Sequence, residues 1–184
     1  MRNKGKSTHS GKKGKLVGKV GTAGTDLVVG IDPGLAGAIV LLGPDSLETF
    51  KMPIDEGRVS FDGLVELFLS LPKTAPVFLE RAKALAMGST YAFNYGNDFA
   101  KVEIALKVAG LSTIYIDPTA WTKAMFTGVS KDLKPKARAK IALERLYPSI
   151  VPLVPRTPKS KELVEGVVDA VLIAGYGKRI LSMS

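Results

Sequence analysis

The stretch that most constrains the fold runs from residue 27 to residue 42 and reads LVVGIDPGLAGAIVLL. Apolar runs on both sides of a Pro-Gly turn predict two buried strands joined by a tight turn. Asp32 lies at the end of the first strand, where a carboxylate is costly to bury without a partner. The residue is therefore either a structural cap of the turn or a metal ligand, and this stretch alone favours neither interpretation.

The residue types that are missing narrow the chemistry. The chain has 184 residues, no cysteine and one histidine, His9, in a polar N-terminal segment. Thiol catalysis, disulfides, Ser-His-Asp triads and zinc sites built from cysteine or histidine are excluded for this reason. If the protein is a hydrolase, carboxylates must do the chemistry with an oxygen-preferring ion such as Mg²⁺ or Mn²⁺.

The positive charge is concentrated at the N-terminus. The formal net charge is +9, and seven basic residues precede the first acidic one, Asp26. Residues 1–23 are therefore predicted to form a disordered basic arm that contacts DNA phosphates, with a solubilising tail or an organelle transit peptide as alternatives. The arm lacks the apolar core of a secretory signal, and no apolar run approaches the roughly 18 residues that span a bilayer.

Residues 24–184 are predicted to form one α/β domain. Three strands come first, then a helix, a strand, a helix and a strand, and finally helices. This order predicts a three-layer sandwich with a mixed five-stranded sheet, and it resembles the ribonuclease H-like architecture. Beyond the hairpin the predicted strands are 47–52, 76–80 and 112–116. The predicted helices are 60–71 with Ser60 as N-cap, about 97–109, a short one after Asp117-Pro118, 135–147, and a last one from Lys159 or Ser160 to about Ile180.

Four carboxylates are placed to meet at one edge of this sheet. Asp32 and Glu80 each end an apolar strand, and Glu165 and Asp169 lie on one face of the last helix at i and i+4. Each acid alone has a structural interpretation: a cap, an exposed helix acid, or an ion pair such as Asp169 with Lys161 or Arg179. Together they match a site for two divalent ions about 4 Å apart, which can activate a water and stabilise the leaving oxygen in phosphoryl transfer.

Three segments carry a family resemblance: VGIDPG at 29–34, VFLE at 77–80 and GVVDAVLIA at 166–174. They resemble the acidic motifs of the RuvC-like Holliday-junction resolvases, most closely the phage and organellar branch. IDPTAW at 116–121 and the stretch 136–148 with its LYP ending also resemble that branch. The resemblance extends from Leu27 to Gly175 and leaves the basic arm outside.

The resemblance implies a homodimeric endonuclease, dependent on Mg²⁺ with Mn²⁺ able to substitute, that nicks opposed strands of a four-way DNA junction. It assigns catalytic and metal-binding roles to Asp32, Glu80 and Asp169, with two ions in each site. Glu165 is assigned less directly. In some family members the corresponding acid lies three residues before the last acid, and in others it lies four residues before it. Members of the second group often have His where this chain has Val164. The implied location is the cytoplasm of a bacterial or phage-infected cell, with an organelle as the alternative.

DNA contacts are expected around the acids. Basic residues beside Glu80 and before the acidic helix could bind phosphates, and aromatic residues after Glu80, Tyr95 among them, could stack on an unpaired base. Solvated helix faces, the core or a dimer interface explain the same residues structurally. The candidate DNA contacts are Arg81, Lys83, Tyr91, Phe93, Lys159 and Lys161.

Two other functions fit the same residues. One is a different ribonuclease H-like nuclease that acts on RNA–DNA hybrids or other branched DNA. The other is a non-catalytic DNA-binding protein that keeps the fold without binding metal.

Overall fold

A computed structural model describes residues 15–16, 26–82 and 88–183. Apart from Lys15–Leu16, the basic arm lies outside the described residues, so its predicted disorder is not described. The predicted DNA contact Lys83 also lies outside them. Eight strands are present in this part of the chain: β1 (Lys15–Leu16), β2 (Val28–Ile31), β3 (Ala38–Leu42), β4 (Leu47–Lys51), β5 (Ile54–Asp55), β6 (Arg58–Val59), β7 (Val77–Glu80) and β8 (Thr113–Ile116).

The central sheet is mixed, as predicted. Its order is β1-β4-β3-β2-β7-β8, with β1 as a two-residue addition to the edge of a five-stranded sheet. β2, β3 and β4 pair antiparallel, whereas β2, β7 and β8 pair parallel. The hairpin turn holds β2 and β3 in antiparallel register, and the helices that follow carry the chain back for parallel pairing.

Helices cover both faces of this sheet. They are α1 (Phe61–Ser70), α2 (Ser89–Val108), α3 (Pro118–Met125), α4 (Pro135–Leu146) and α5 (Glu165–Ser182), with a 3₁₀ turn at Val151–Leu153. One face of the sheet, including Val29 and Ile31, packs against α1 and α2. The other, including Val28 and Val40, packs against α3, α4 and α5. Because alternate strand residues enter separate cores, the three-layer α/β prediction is confirmed. No helix in the described part of the chain is long and apolar enough to cross a bilayer.

Helix α2 begins at Ser89, eight residues before the predicted start. The segment between Ser89 and Gly96 is rich in aromatic residues and lacks an amphipathic pattern, so periodicity gave no helix signal there. A contact distant in sequence supports this half of the helix. The Arg58 side chain, on the hairpin formed by β5 and β6, donates to the main-chain oxygen of Asn94 and to the carboxylate of Asp98. The sequence predicts a turn instead of this hairpin.

Helix α5 begins at Glu165 and not at Lys159 or Ser160, so the predicted start is wrong by five or six residues. The intervening chain makes non-helical bonds of its own. Arg156 and Leu163 form an isolated antiparallel bridge, and Lys161 adopts a φ of +57°, in the left-handed region. A turn with this geometry cannot continue as an α-helix.

Glycines let α5 approach the strands closely. A Cβ on Gly30 would overlap the Ala170 main-chain oxygen and lie 2.8 Å from the Ala174 side chain. A Cβ on Gly166 would overlap the main chain at residues 36–37, and Gly37 and Gly166 form a bridge between the hairpin turn and the helix. The helix therefore lies directly against the strand that ends at Asp32.

Candidate active site

Asp32 and Glu80 leave the sheet side by side. Ile31 pairs with Leu79 in the parallel ladder between β2 and β7, and each acid is the next residue in its chain. Neighbouring strands lie roughly 4.8 Å apart, so the two side chains start close together at the carboxyl ends of their strands. The predicted meeting of these two acids at one sheet edge follows from this register.

The first two turns of α5 bring the other two acids to the same edge. Asp169 is electrostatically coupled to Asp32, Glu80 and Glu165. Burial, and then the charges of these three neighbours, raise the pKa of Asp169 to about 7, while the charge of Lys136 acts in the opposite direction. Neither Lys161 nor Arg179 pairs with Asp169 in the part of the chain that the structure describes. The interpretation of Asp169 as a simple ion-pair partner of either residue is thus wrong.

In the described part of the chain, Asp32 also has no ion-pair partner. Burial raises its pKa to about 6, and the Gly34 main-chain N–H, which donates to Oδ1 at a long 3.5 Å, offsets little of that effect. A Cβ on Gly37 would overlap the Asp32 main-chain oxygen, whereas a Cβ on Gly34 would contact nothing closer than 3.9 Å. Gly37 is therefore the glycine that the tight turn after Asp32 requires.

Glu80 is fixed by an aromatic side chain. Trp121 on α3 donates its indole N–H to Glu80 Oε1 at 3.0 Å. Tyr95 on α2 lies near the same acids, and burial together with the charges of Glu80 and Asp32 raises its pKa to about 12. Tyr95 is consequently a neutral phenol at any physiological pH.

Glu165 contacts a lysine. Lys136, in the first turn of α4, places Nζ 2.6 Å from Glu165 Oε2, and this bond raises the pKa of Lys136. One turn further along α4, Lys140 pairs with Glu162 at 3.0 Å. Two ion pairs thus join α4 to the first residue of α5 and to the segment before it, and one of them uses a predicted metal ligand.

The donor set suits a hard divalent cation, but the side chains do not form a complete cage. Among the described residues, no three acidic or histidine side chains are arranged to hold a metal ion as they stand. Glu80 and Glu165 are turned towards Trp121 and Lys136. However, Asp32 and Asp169 are desolvated carboxylates that repel one another. A cation between them would remove that repulsion, so the residues present fit Mg²⁺ or Mn²⁺ with Asp32 and Asp169 as the central ligands.

A cleft of about 530 Å³ opens beside the acids. One wall is the turn after β2 with the start of α5, and the opposite wall is α2 together with the β5–β6 hairpin. Arg58 lines the cleft while its guanidinium is bound to the buried Asp98, with an N–O distance of 3.1 Å. This ion pair fixes the hairpin against α2 and so shapes the wall that faces the acids.

The predicted DNA contacts are distributed unevenly around the cleft. Tyr91 lines it, is 57% exposed and stacks on Tyr95 with ring planes 12° apart. Phe93 is 72% exposed on α2 but does not line the cleft. The Arg81 guanidinium lies 5.5 Å from the centre of the Tyr115 ring. Lys159 and Lys161 are exposed in the turn before α5. Lys136, on α4, forms an ion pair with Glu165.

Sequence reasoning missed two residues that touch the acids. Trp121 lies on the predicted short helix after Asp117-Pro118 and Lys136 lies in the stretch 136–148, and the sequence pattern assigns neither residue a contact with the acids. An aromatic residue with an N–H donor four residues after a strand-end aspartate was a usable signal for Trp121. The pairing of Lys136 with Glu165 depends on how α4 packs against α5, which no local pattern reveals.

No protein-family model and no curated protein matches the chain. Solved structures do. Thermus thermophilus RuvC in complex with Holliday junction substrate is 17% identical at a TM-score of 0.53, covering 86% of this chain and 96% of that one. Another Thermus thermophilus RuvC structure is 17% identical at a TM-score of 0.50, covering 84% and 96%. At this identity the likeness shows the fold: the chain has the RuvC-type, ribonuclease H-like arrangement of a mixed sheet and five helices.

Proposed function

We propose that this protein is a metal-dependent endonuclease that resolves four-way DNA junctions by paired symmetric nicks. The observation that carries the proposal is the convergence of Asp32, Glu80, Glu165 and Asp169 at one sheet edge of a RuvC-type fold. The sequence resemblance to the phage and organellar resolvases supports the same activity. We place it in the cytoplasm of a bacterial or phage-infected cell.

Each acid has a distinct part in this proposal. Asp32 and Asp169 are the central ligands, because both are desolvated and repel one another when ionised. Glu80 and Glu165 complete the ligand set from the two sides. Two Mg²⁺ ions, replaceable by Mn²⁺, would supply the activated water and the positive charge that stabilises the leaving 3′ oxygen. Tyr95 stays protonated beside the acids and does not compete with the carboxylates as an anionic ligand for the metals.

DNA would enter from the open side of the cleft. The stacked pair of Tyr91 and Tyr95 offers a flat surface to an unpaired base at the crossover. The basic arm and the lysines around α4 and the turn before α5 supply phosphate contacts. Lys159 and Lys161 keep this role in the proposal because their side chains are exposed beside the acidic helix.

Paired nicks require two active sites, so we propose a homodimer. Helix α2 presents exposed apolar side chains that a second copy could cover: Phe93, Ile104 and Val108. A symmetric contact through such a helix would set a fixed distance between the two clefts.

The deciding experiment compares substrates. Synthetic four-way junctions should be nicked in pairs in the presence of Mg²⁺, whereas linear duplex of the same sequence should not be cut. Asp32→Asn should abolish cutting and keep junction binding, because it removes a ligand charge and leaves the DNA surface unchanged. Equal cleavage of linear duplex would refute the junction selectivity, and cleavage restricted to RNA–DNA hybrids would indicate a different ribonuclease H-like nuclease.

A non-catalytic DNA-binding protein is the second candidate. The observation that favours it is the Lys136–Glu165 ion pair, which already neutralises one predicted ligand. Isothermal titration with Mn²⁺ separates the two functions. A degenerate site binds no metal, whereas the nuclease binds metal and loses that binding in Asp32→Asn.

A further inference from the structure

We propose that Trp121 is a positioning residue for Glu80, and that its indole N–H sets the orientation in which this carboxylate meets a metal ion. This inference rests on the proposed function and adds a residue to its site. Trp121 lies on α3, which α2 and β8 separate in sequence from the strand that carries Glu80. Its Nε1 lies 3.0 Å from Glu80 Oε1.

The indole is held firmly enough to act as a reference point. Trp121 is 4% exposed, and its ring packs edge-on against Phe126 with centroids 5.7 Å apart. The helix itself is fixed at its start, because the Asp117 carboxylate accepts from the main-chain N–H groups of Thr119 and Ala120 at 2.7 and 3.1 Å. The N–H is thus presented to Glu80 from a packed core and a capped helix.

A glutamate needs such a reference more than an aspartate does. Its longer side chain has one more rotatable bond, and ordering it lowers the entropy further. Asp32 and Asp169 are short and leave the backbone of β2 and α5 directly at the site. Glu80 must reach from the end of β7, so a donor that fixes one oxygen reduces the number of rotamers that the carboxylate samples.

The neutral character of the donor matters. A lysine at this place would orient Glu80 but would also cancel its charge, as Lys136 does for Glu165. The indole N–H carries no net charge and cannot accept a proton, so the hydrogen bond from Trp121 does not itself neutralise the carboxylate of Glu80. Hydrogen-bond partners of ligating carboxylates change metal affinity by roughly 10- to 100-fold when they are removed.

The test separates the N–H from the packing of the ring. Trp121→Phe removes the donor and keeps an aromatic ring, whereas Phe126→Leu disturbs the same ring contact and keeps the N–H. By isothermal titration, Trp121→Phe should weaken Mn²⁺ binding by about 10-fold or more. Phe126→Leu should lower the thermal stability about as much as Trp121→Phe does, but it should change the Mn²⁺ affinity by less than about twofold. Equal affinity losses in the two variants would overturn the proposal.

A second measurement uses the folded wild-type chain. Trp121 is the one tryptophan in the sequence, so ¹⁵N-labelled protein gives one indole N–H signal without assignment. Titration with Mg²⁺ should shift this signal with the midpoint found by calorimetry, and Glu80→Ala should abolish the shift. A signal that stays in place at metal saturation would overturn the inference while leaving the nuclease proposal intact. A wild type that binds no metal and cuts no DNA would overturn both.

Discussion

Replacing Asp169 by Asn should stabilise the metal-free protein at neutral pH, although it removes a proposed ligand. Burial and the neighbouring carboxylates raise the pKa of Asp169 from 3.8 to about 7. Each pKa unit corresponds to roughly 1.4 kcal/mol, so ionised Asp169 destabilises the fold by about 4 kcal/mol at most. The amide leaves a partly buried polar group that needs a partner, at a cost of about 1–2 kcal/mol. The net gain is therefore about 2 kcal/mol, or roughly 4–8 °C in Tm for a chain of this size.

The pH dependence follows from the direction of the shift. Since the folded-state pKa of Asp169 is raised, the native state holds the proton more tightly than the unfolded state between pH 3.8 and about 7. Stability therefore falls as the pH rises through this window, and the destabilisation is complete above it. Asp169→Asn should remove most of this slope. The gain over wild type should be large at pH 8 and close to zero or negative at pH 4.

The assay is urea unfolding or calorimetry in EDTA from pH 4 to pH 8, repeated with Mg²⁺. Wild type should gain about 2.7 kcal/mol at a metal concentration 100-fold above Kd, and Asp169→Asn should lose most of that gain. Glu144→Gln is a matched control, because it removes one negative charge from an exposed site on α4. If Asp169→Asn is no more stable than wild type in EDTA at pH 8, the electrostatic strain inferred at this site is wrong.

Two further predictions test the surroundings of the acids. Lys136→Met should raise the Mn²⁺ affinity by about 10-fold in a titration without DNA, since it frees Glu165 from a cation. Lys140→Met is the control, because it breaks the neighbouring pair with Glu162 and should leave the affinity unchanged in the same titration. Gly30→Ala should lower stability in urea by about 1–3 kcal/mol, because the added methyl overlaps the main chain of α5 at Ala170, and a wild-type midpoint would contradict the packing. Gly96→Ala, where a Cβ meets nothing within 4 Å, is its control and should stabilise α2 by about 0.5–1 kcal/mol.

The sheet and the strand-end acids could be predicted because local pattern determines them. The apolar runs around Asp32 and Glu80 fix where β2 and β7 end, and parallel pairing then brings these ends to the same level. Ser60 begins α1 as expected, since its hydroxyl accepts from the Gly63 N–H. These features depend on residues that are neighbours in sequence, so periodicity and capping reveal them.

The parts that could not be predicted depend on contacts between distant segments. The first half of α2 is supported by Arg58, 36 residues before Asn94, and the start of α5 is displaced by the bridge between Arg156 and Leu163. Likewise, Arg81 follows Glu80 in sequence, but its guanidinium lies over Tyr115 on the neighbouring strand. Proximity in sequence to a catalytic acid did not decide where this long side chain goes.

The two glutamates of the site have partners of different charge: Glu165 pairs with the ammonium of Lys136, whereas Glu80 accepts from the indole of Trp121. Four ionised carboxylates balance two divalent ions, but the Lys136 ammonium adds a positive charge that such a balance does not need. Glu80, in contrast, accepts a hydrogen bond from the uncharged indole of Trp121, and this bond does not neutralise the carboxylate. Asp32 and Asp169 are the desolvated pair that attracts a cation, whereas Glu165 must first leave Lys136. The exposed Lys136 side chain is then free to meet a phosphate, which is why its replacement should change metal affinity most when DNA is absent.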